Sequence, residues 1–208
     1  MVVFDHLLIP TLNQSSEGNM KKLKVAYSLP LDPNADYKMA WLHERDKRNF
    51  ESLNKWLYLG ADIKDDGFAK VGLTMDDLVS RSYSSANPNY YLFCAFKCRD
   101  NITKTEIKNI ELGAVEYLEL EFSNEDGTSN RARHAESGHL SECFYNINFT
   151  NFFISYHDYL YEKHHRDFLV TEFKNEFGDD EGNFLDCEFN PRFTLQEKNK
   201  FIRMLLRW

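Results

Sequence analysis

Apolar residues recur along this chain in short runs, and the spacing within each run predicts an element. The segment LKVAYSL alternates loosely and predicts a first strand near residues 21–28, stopped by Pro30. Asp32 and Pro33 then pair an N-cap acceptor with a first-turn proline, and Gly60 is the next strong helix-ending signal. Between them the pattern predicts one long helix or two shorter ones. Apolar ends (Tyr37, Ala40, Trp41, then Phe50, Leu53, Trp56, Leu57) flank a wholly polar HERDKRN.

A short helix is expected to open at Thr74, with Asp76 and Asp77 in the first turn where the helix dipole favours them. YYLFCAF, from Tyr90, is an apolar run of strand length. Thr103 and Glu106 have the spacing of a capping box and predict a helix over 102–112. GAVEYLELEF alternates apolar and acidic residues and predicts a strand over 114–122. Turn residues and charges cluster from Ser123 to Gly138, which reads as a loop. Two aromatic, β-prone segments follow, over 144–154 and 167–174. A second capping box, Thr194 with Glu197, opens a final helix carrying Phe201, Met204 and Leu205 on one face.

Strands near 21–28, 89–97, 114–122, 144–154 and 167–174, separated by both turns and helices, predict an α+β fold with a mainly antiparallel sheet and flanking helices. NQSSEGN and the methionine at position 20 mark residues 1–19 as a flexible N-terminal extension to a single domain over 20–208. At 208 residues and 42% hydrophobic, the chain has ample material for one core and none of the composition of a disordered segment.

Charge narrows the partners. The net value of −8 repels phosphate backbones and anionic lipid, so nucleic acid is disfavoured and a basic protein surface is favoured. No apolar run approaches the roughly 20 residues of a membrane-spanning helix, and the first residues lack the features of a signal peptide. Four cysteines (Cys94, Cys98, Cys143, Cys187) are too few for a disulfide scaffold and fit a reducing, cytoplasmic setting. Cys94 and Cys98, four apart on a strand, stand about 13 Å from one another and cannot share a metal. They read as buried thiols.

Candidate chemistry centres on ISYHDYLYEKHHRDFLVTEFK. Asp158 is followed after a gap by Glu172-Phe173-Lys174 on a β-prone run. A divalent ion held between an Asp and a Glu, with a Lys stabilising the attacking hydroxide, is a known hydrolytic arrangement. These residues resemble the PD-(D/E)xK pattern of restriction-endonuclease-like nucleases, which implies catalytic Asp158, Glu172 and Lys174, with magnesium or manganese on Asp158 and Glu172. His157 stands where that pattern has proline. His134-Ala135-Glu136 resembles one step of the zinc-dependent cytidine deaminases, but their Pro-Cys-x-x-Cys is absent. The run from Asp62 to Leu73 lacks the final Glu of a calcium loop, and no phosphate-binding or nucleophile-elbow motif occurs.

With no complete catalytic motif, the leading expectation is an acidic intracellular protein-binding domain without a cofactor. Its 11 tyrosines and 17 phenylalanines supply interface anchors. Bacterial immunity proteins and other inhibitors of basic toxins resemble it in composition. Asp65, Asp66, Asp76, Asp77, Glu119, Glu121, Asp179, Asp180 and Glu181 are the positions expected to steer such an encounter. The metal-dependent nuclease is the alternative.

Overall fold

The computed structural model describes residues 54–75 and 87–208, together with residue 78 and residues 30, 32, 33, 36, 37, 39, 40 and 43. The extension expected at 1–19, the strand expected at 21–28 and most of the helix expected after Thr74, with Asp76 and Asp77, lie outside these residues.

Six strands form the main sheet: β1 (Trp56–Asp62), β2 (Ala69–Thr74), β3 (Tyr90–Lys97), β4 (Arg131–Arg133), β5 (Leu140–Phe144) and β8 (Cys187–Phe189). Their order is β4-β5-β2-β1-β3-β8, and every neighbouring pair is antiparallel. A separate antiparallel hairpin joins β6 (Val170–Lys174) to β7 (Asp180–Leu185). Three helices are fully described: α1 (Lys104–Glu121), α2 (Phe149–His164) and α3 (Leu195–Leu205). The α+β class with a mainly antiparallel sheet is therefore as the sequence predicts.

Three local expectations are corrected. Residues 114–121 are helical, because the helix that Thr103 and Glu106 cap meets no effective breaker and propagates to Glu121. Residues 149–154 are helical too. Asn148 caps α2 by accepting from the Asn151 N–H, and Phe152, Phe153, Tyr156 and Leu160 recur at helical spacing to form its buried face. Gly60 ends no helix; it lies inside β1, with Trp56 and Leu57.

That glycine, with Gly72 opposite Tyr58 on β2, is a packing device. A β-carbon on Gly60 would run into the Tyr90 ring, and one on Gly72 into the Tyr58 ring. Two tyrosines thus lie flat across a sheet face where side chains at these positions would lift them off.

The opposite face carries the main core, and one irregularity shapes it. Leu59 pairs with Cys94 but Gly60 pairs with Leu92, so Phe93 is an extra residue in β3. A bulge of this kind breaks the strict alternation of faces and lets consecutive Phe93 and Cys94 both enter the core. Phe93 then meets five other rings, those of Phe149, Phe153, Phe189, Phe193 and Phe201, with centroids 4.9–5.8 Å away and edge-to-face geometry. Each such pair adds about 0.5–1.5 kcal/mol beyond simple burial.

Replacing a strand glycine by alanine ordinarily stabilises a sheet. At Gly60 the new methyl must displace the buried Tyr90 ring, so Gly60→Ala is expected to cost about 1–3 kcal/mol. Urea unfolding measures this, and an unchanged or raised midpoint would contradict the packing described.

Candidate functional site

The structure places the residues of the nuclease pattern on different elements. Asp158 sits on α2, not on the strand the pattern calls for. Its carboxylate is ion-paired with Arg207 and lies 3.3 Å from Nδ1 of His157. Glu172 and Lys174 are on β6, as the sequence predicts, and they face each other at 3.8 Å with both side chains mostly in water. Each carboxylate is thus answered by a different cation. Among the described residues no group of three or more His, Cys, Asp or Glu is gathered to hold a metal ion.

A backbone link nevertheless joins the two regions. Arg207 exchanges both main-chain hydrogen bonds with Asn183, each 2.8 Å, and Asn183 is in turn the cross-strand partner of Glu172. Directly opposed residues share a face, so Glu172, Asn183 and Arg207 line one side of the hairpin. Two strand spacings, about 9.6 Å, separate the outer pair.

His157 fixes this corner from within. Its ring is buried, and Nε2 accepts the Leu185 N–H at 3.2 Å. The proton therefore resides on Nδ1, facing the Asp158 carboxylate. Burial pushes the imidazole pKa below its ordinary value, against the opposing pull of Asp158. Partial burial disfavours the Asp158 carboxylate, but hydrogen bonds from His157 and Arg207 outweigh it and hold that pKa low. The result is a neutral buried imidazole beside an ionised surface carboxylate.

Asp158 also belongs to a broader surface that the sequence pattern did not reveal. α1 carries five glutamates against two lysines. Its outer side exposes Leu112 (60%) and Leu120 (79%) together with Tyr117. The Tyr117 ring stacks on Tyr159 of α2 at 5.0 Å, and the Tyr159 hydroxyl lies over Gly113, where a side chain would collide with it. The Tyr117 hydroxyl is hydrogen-bonded to Glu121, and burial and the nearby carboxylates of Glu121, Glu162 and Asp158 add to that bond to push its pKa up to about 12. Ser155 also donates to Glu121, at 2.7 Å. The stacked tyrosines thus lie in the negative field of Glu121, Glu162 and Asp158, and Leu112 and Leu120 are exposed on the same helix.

The other predicted acidic positions are dispersed. Glu119 is neutralised by Arg131 at 2.6 Å. Asp65 and Asp66 line a cleft of about 370 Å³ at the β1–β2 turn, with Asp62, Tyr91 and the α2 cap Asn148. Asp179, Asp180 and Glu181 are on the β6–β7 hairpin. His134 and His139 lie on the β4–β5 connection, joined through their backbones. All four cysteines are free thiols, and burial raises the Cys98 thiol to about 12. Neither protein-family models, nor curated proteins, nor solved structures show a match to this chain.

The depressed imidazole fixes the sign of a pH dependence. In the unfolded chain His157 titrates near 6.5. As pH falls through that value the unfolded state takes up a proton that the native site refuses, so stability declines toward acid. The urea midpoint is expected to drop between pH 7.5 and 5.5, and less so in His157→Asn. Equal slopes in the two proteins would contradict the neutral, Nδ1-protonated imidazole.

Proposed function

We propose that this chain is an acidic protein-binding domain that occludes the basic surface of a partner protein, as an inhibitor or immunity-type protein does, with the α1–α2 face as its contact surface. The single observation that carries the reading is the stacked Tyr117–Tyr159 pair, with Tyr117 hydrogen-bonded to Glu121 and the carboxylates of Glu162 and Asp158 close enough to raise its pKa. Large amphipathic rings with few rotatable bonds are economical anchors, and carboxylates around them raise the encounter rate with a cationic surface. Among the described residues no helix is long and apolar enough to cross a membrane. The four free thiols accord with a reducing, cytoplasmic setting for the encounter.

A partner recovered from the native host and purified provides the test. Raising salt from about 0.05 to 0.5 M shortens the screening length to a few ångströms and should slow association at least tenfold while leaving dissociation nearly constant. Glu121→Lys with Glu162→Lys should reproduce that loss at low salt. Association indifferent to both salt and charge reversal would remove the proposal.

The alternative is a metal-dependent nuclease using Asp158, Glu172 and Lys174 with magnesium or manganese. It is favoured by the register that sets Glu172 on the same side of the hairpin as Arg207, the partner of Asp158. On that reading Glu172→Ala abolishes metal-dependent cleavage of DNA or RNA, and absence of any cleavage by the unmodified protein eliminates it.

A further inference from the structure

The two long edges of the β6–β7 hairpin differ. On the β7 side Asn183 commits its N–H and C=O to Arg207, each bond 2.8 Å. In an antiparallel strand both main-chain groups of a residue point the same way, so Glu172, directly opposite Asn183, turns its own N–H and C=O away from β7. Alternation does the same for Val170. The Asn175 N–H donates back across the turn to Asp179, which puts Lys174 in the same outward set. Val170, Glu172 and Lys174 therefore line the outer edge of β6 with main-chain donors and acceptors that meet no further strand among the described residues.

The shape of β6 leaves that edge open. The extra residue of the hairpin's bulge, Glu181, lies in β7, so β6 stays a regular strand. It holds no proline, and Val170, Thr171, Glu172 and Lys174 are all exposed. A sheet of two strands is marginal by itself and gains from further ones. The charges decide what pairs there. Glu172 and Lys174 stand on one face to either side of Phe173, with 3.8 Å between their charged atoms. Antiparallel pairing of β6 with a second β6 has few registers that match outward groups. An axis at Glu172 or at Lys174 sets a like charge against itself, and one at Thr171 sets Val170 against the carboxylate. An axis at Phe173 sets each Glu172 against the Lys174 of the other copy, twice over.

We propose that β6 is a self-association edge, through which two copies of this chain pair antiparallel about Phe173 and join their hairpins into one four-stranded sheet. Each Glu172 and the facing Lys174 exchange both main-chain hydrogen bonds, and their side chains form an ion pair on one face. Between these pairs the two Phe173 residues oppose each other as a non-hydrogen-bonded pair, the arrangement that brings side chains closest. Charge complementarity selects the occupant: the order carboxylate, ring, ammonium along β6 is its own complement when reversed. The inference is independent of the α1–α2 contact surface, which lies on other elements.

Sedimentation and light scattering on the full chain, from micromolar to millimolar concentration, measure the dimer. Salt of about 0.15 M screens charges more than about 8 Å apart and so limits the general repulsion between two acidic copies. Glu172→Lys and Lys174→Glu should each raise the dissociation constant at least about tenfold, since each sets like charges opposite one another twice. The double variant Glu172→Lys with Lys174→Glu should dimerise as the unmodified chain does. An equimolar mixture of the two single variants should form a mixed dimer, because one edge then offers only cations and the other only carboxylates. Amide exchange at Val170, Glu172 and Lys174 should slow as the concentration of unmodified chain rises. A chain that stays monomeric throughout overturns the proposal. So does a dimer that ignores both single reversals, a mixture that fails to pair, or association without protection of those amides.

Discussion

Everything in this fold is arranged around the extra residue in β3 that turns Phe93 into the core. Without the bulge, Phe93 and Cys94 would point to opposite sides of the sheet, and the ring cluster linking α2, β8 and α3 would lose its centre. Burying each phenylalanine contributes about 1.5–3 kcal/mol, and the edge-to-face contacts add direction to that gain. The direction matters as much as the energy. It fixes how α2 lies on the sheet, and α2 positions most of the polar chemistry described above.

One face of α2 is fully committed, with Phe152, Phe153, Tyr156 and Leu160 buried. Its first turn, capped by Asn148, borders the cleft at the β1–β2 turn. Its middle delivers His157 to the Leu185 backbone, Asp158 to Arg207 and Tyr159 to Tyr117. The acidic aromatic surface is thus a by-product of core packing in its placement. Its composition is not. Leu112 and Leu120 stand largely exposed, and of the carboxylates near Tyr117 only Asp158 is ion-paired among the described residues, with Arg207.

Much of this was legible in the chain, and the remainder failed for identifiable reasons. Both capping boxes worked, at Thr103 and at Thr194, because an N-cap acceptor and an N3 glutamate are local signals that tertiary packing seldom overrides. β3 was legible from its apolar run and β6 from its β-prone pattern. The alternation from Gly113 misled because a two-residue period and a helical period share several positions over so short a stretch, and the upstream cap decided between them. The aromatic density of α2 imitates a strand, since Phe and Tyr favour sheets intrinsically, but the Asn148 cap and the helical spacing of the buried rings decide for helix. Gly60 misled because a glycine needed for close approach of a ring looks in sequence like one that ends a helix. As for the site, Asp158, Glu172 and Lys174 were visible as residue types, but Arg207, which claims Asp158, lies 49 positions away. Only the fold could reveal that pairing.

Hydrogen exchange on the full chain, with and without a purified basic partner, bears most directly on the claim that one acidic, aromatic side of the molecule is the contact surface. Added partner is predicted to slow exchange along α1 from Leu112 to Glu121, with the β4–β5 connection and the β1–β2 turn unchanged. Protection confined to the β1–β2 turn, or no change in α1, would contradict the account.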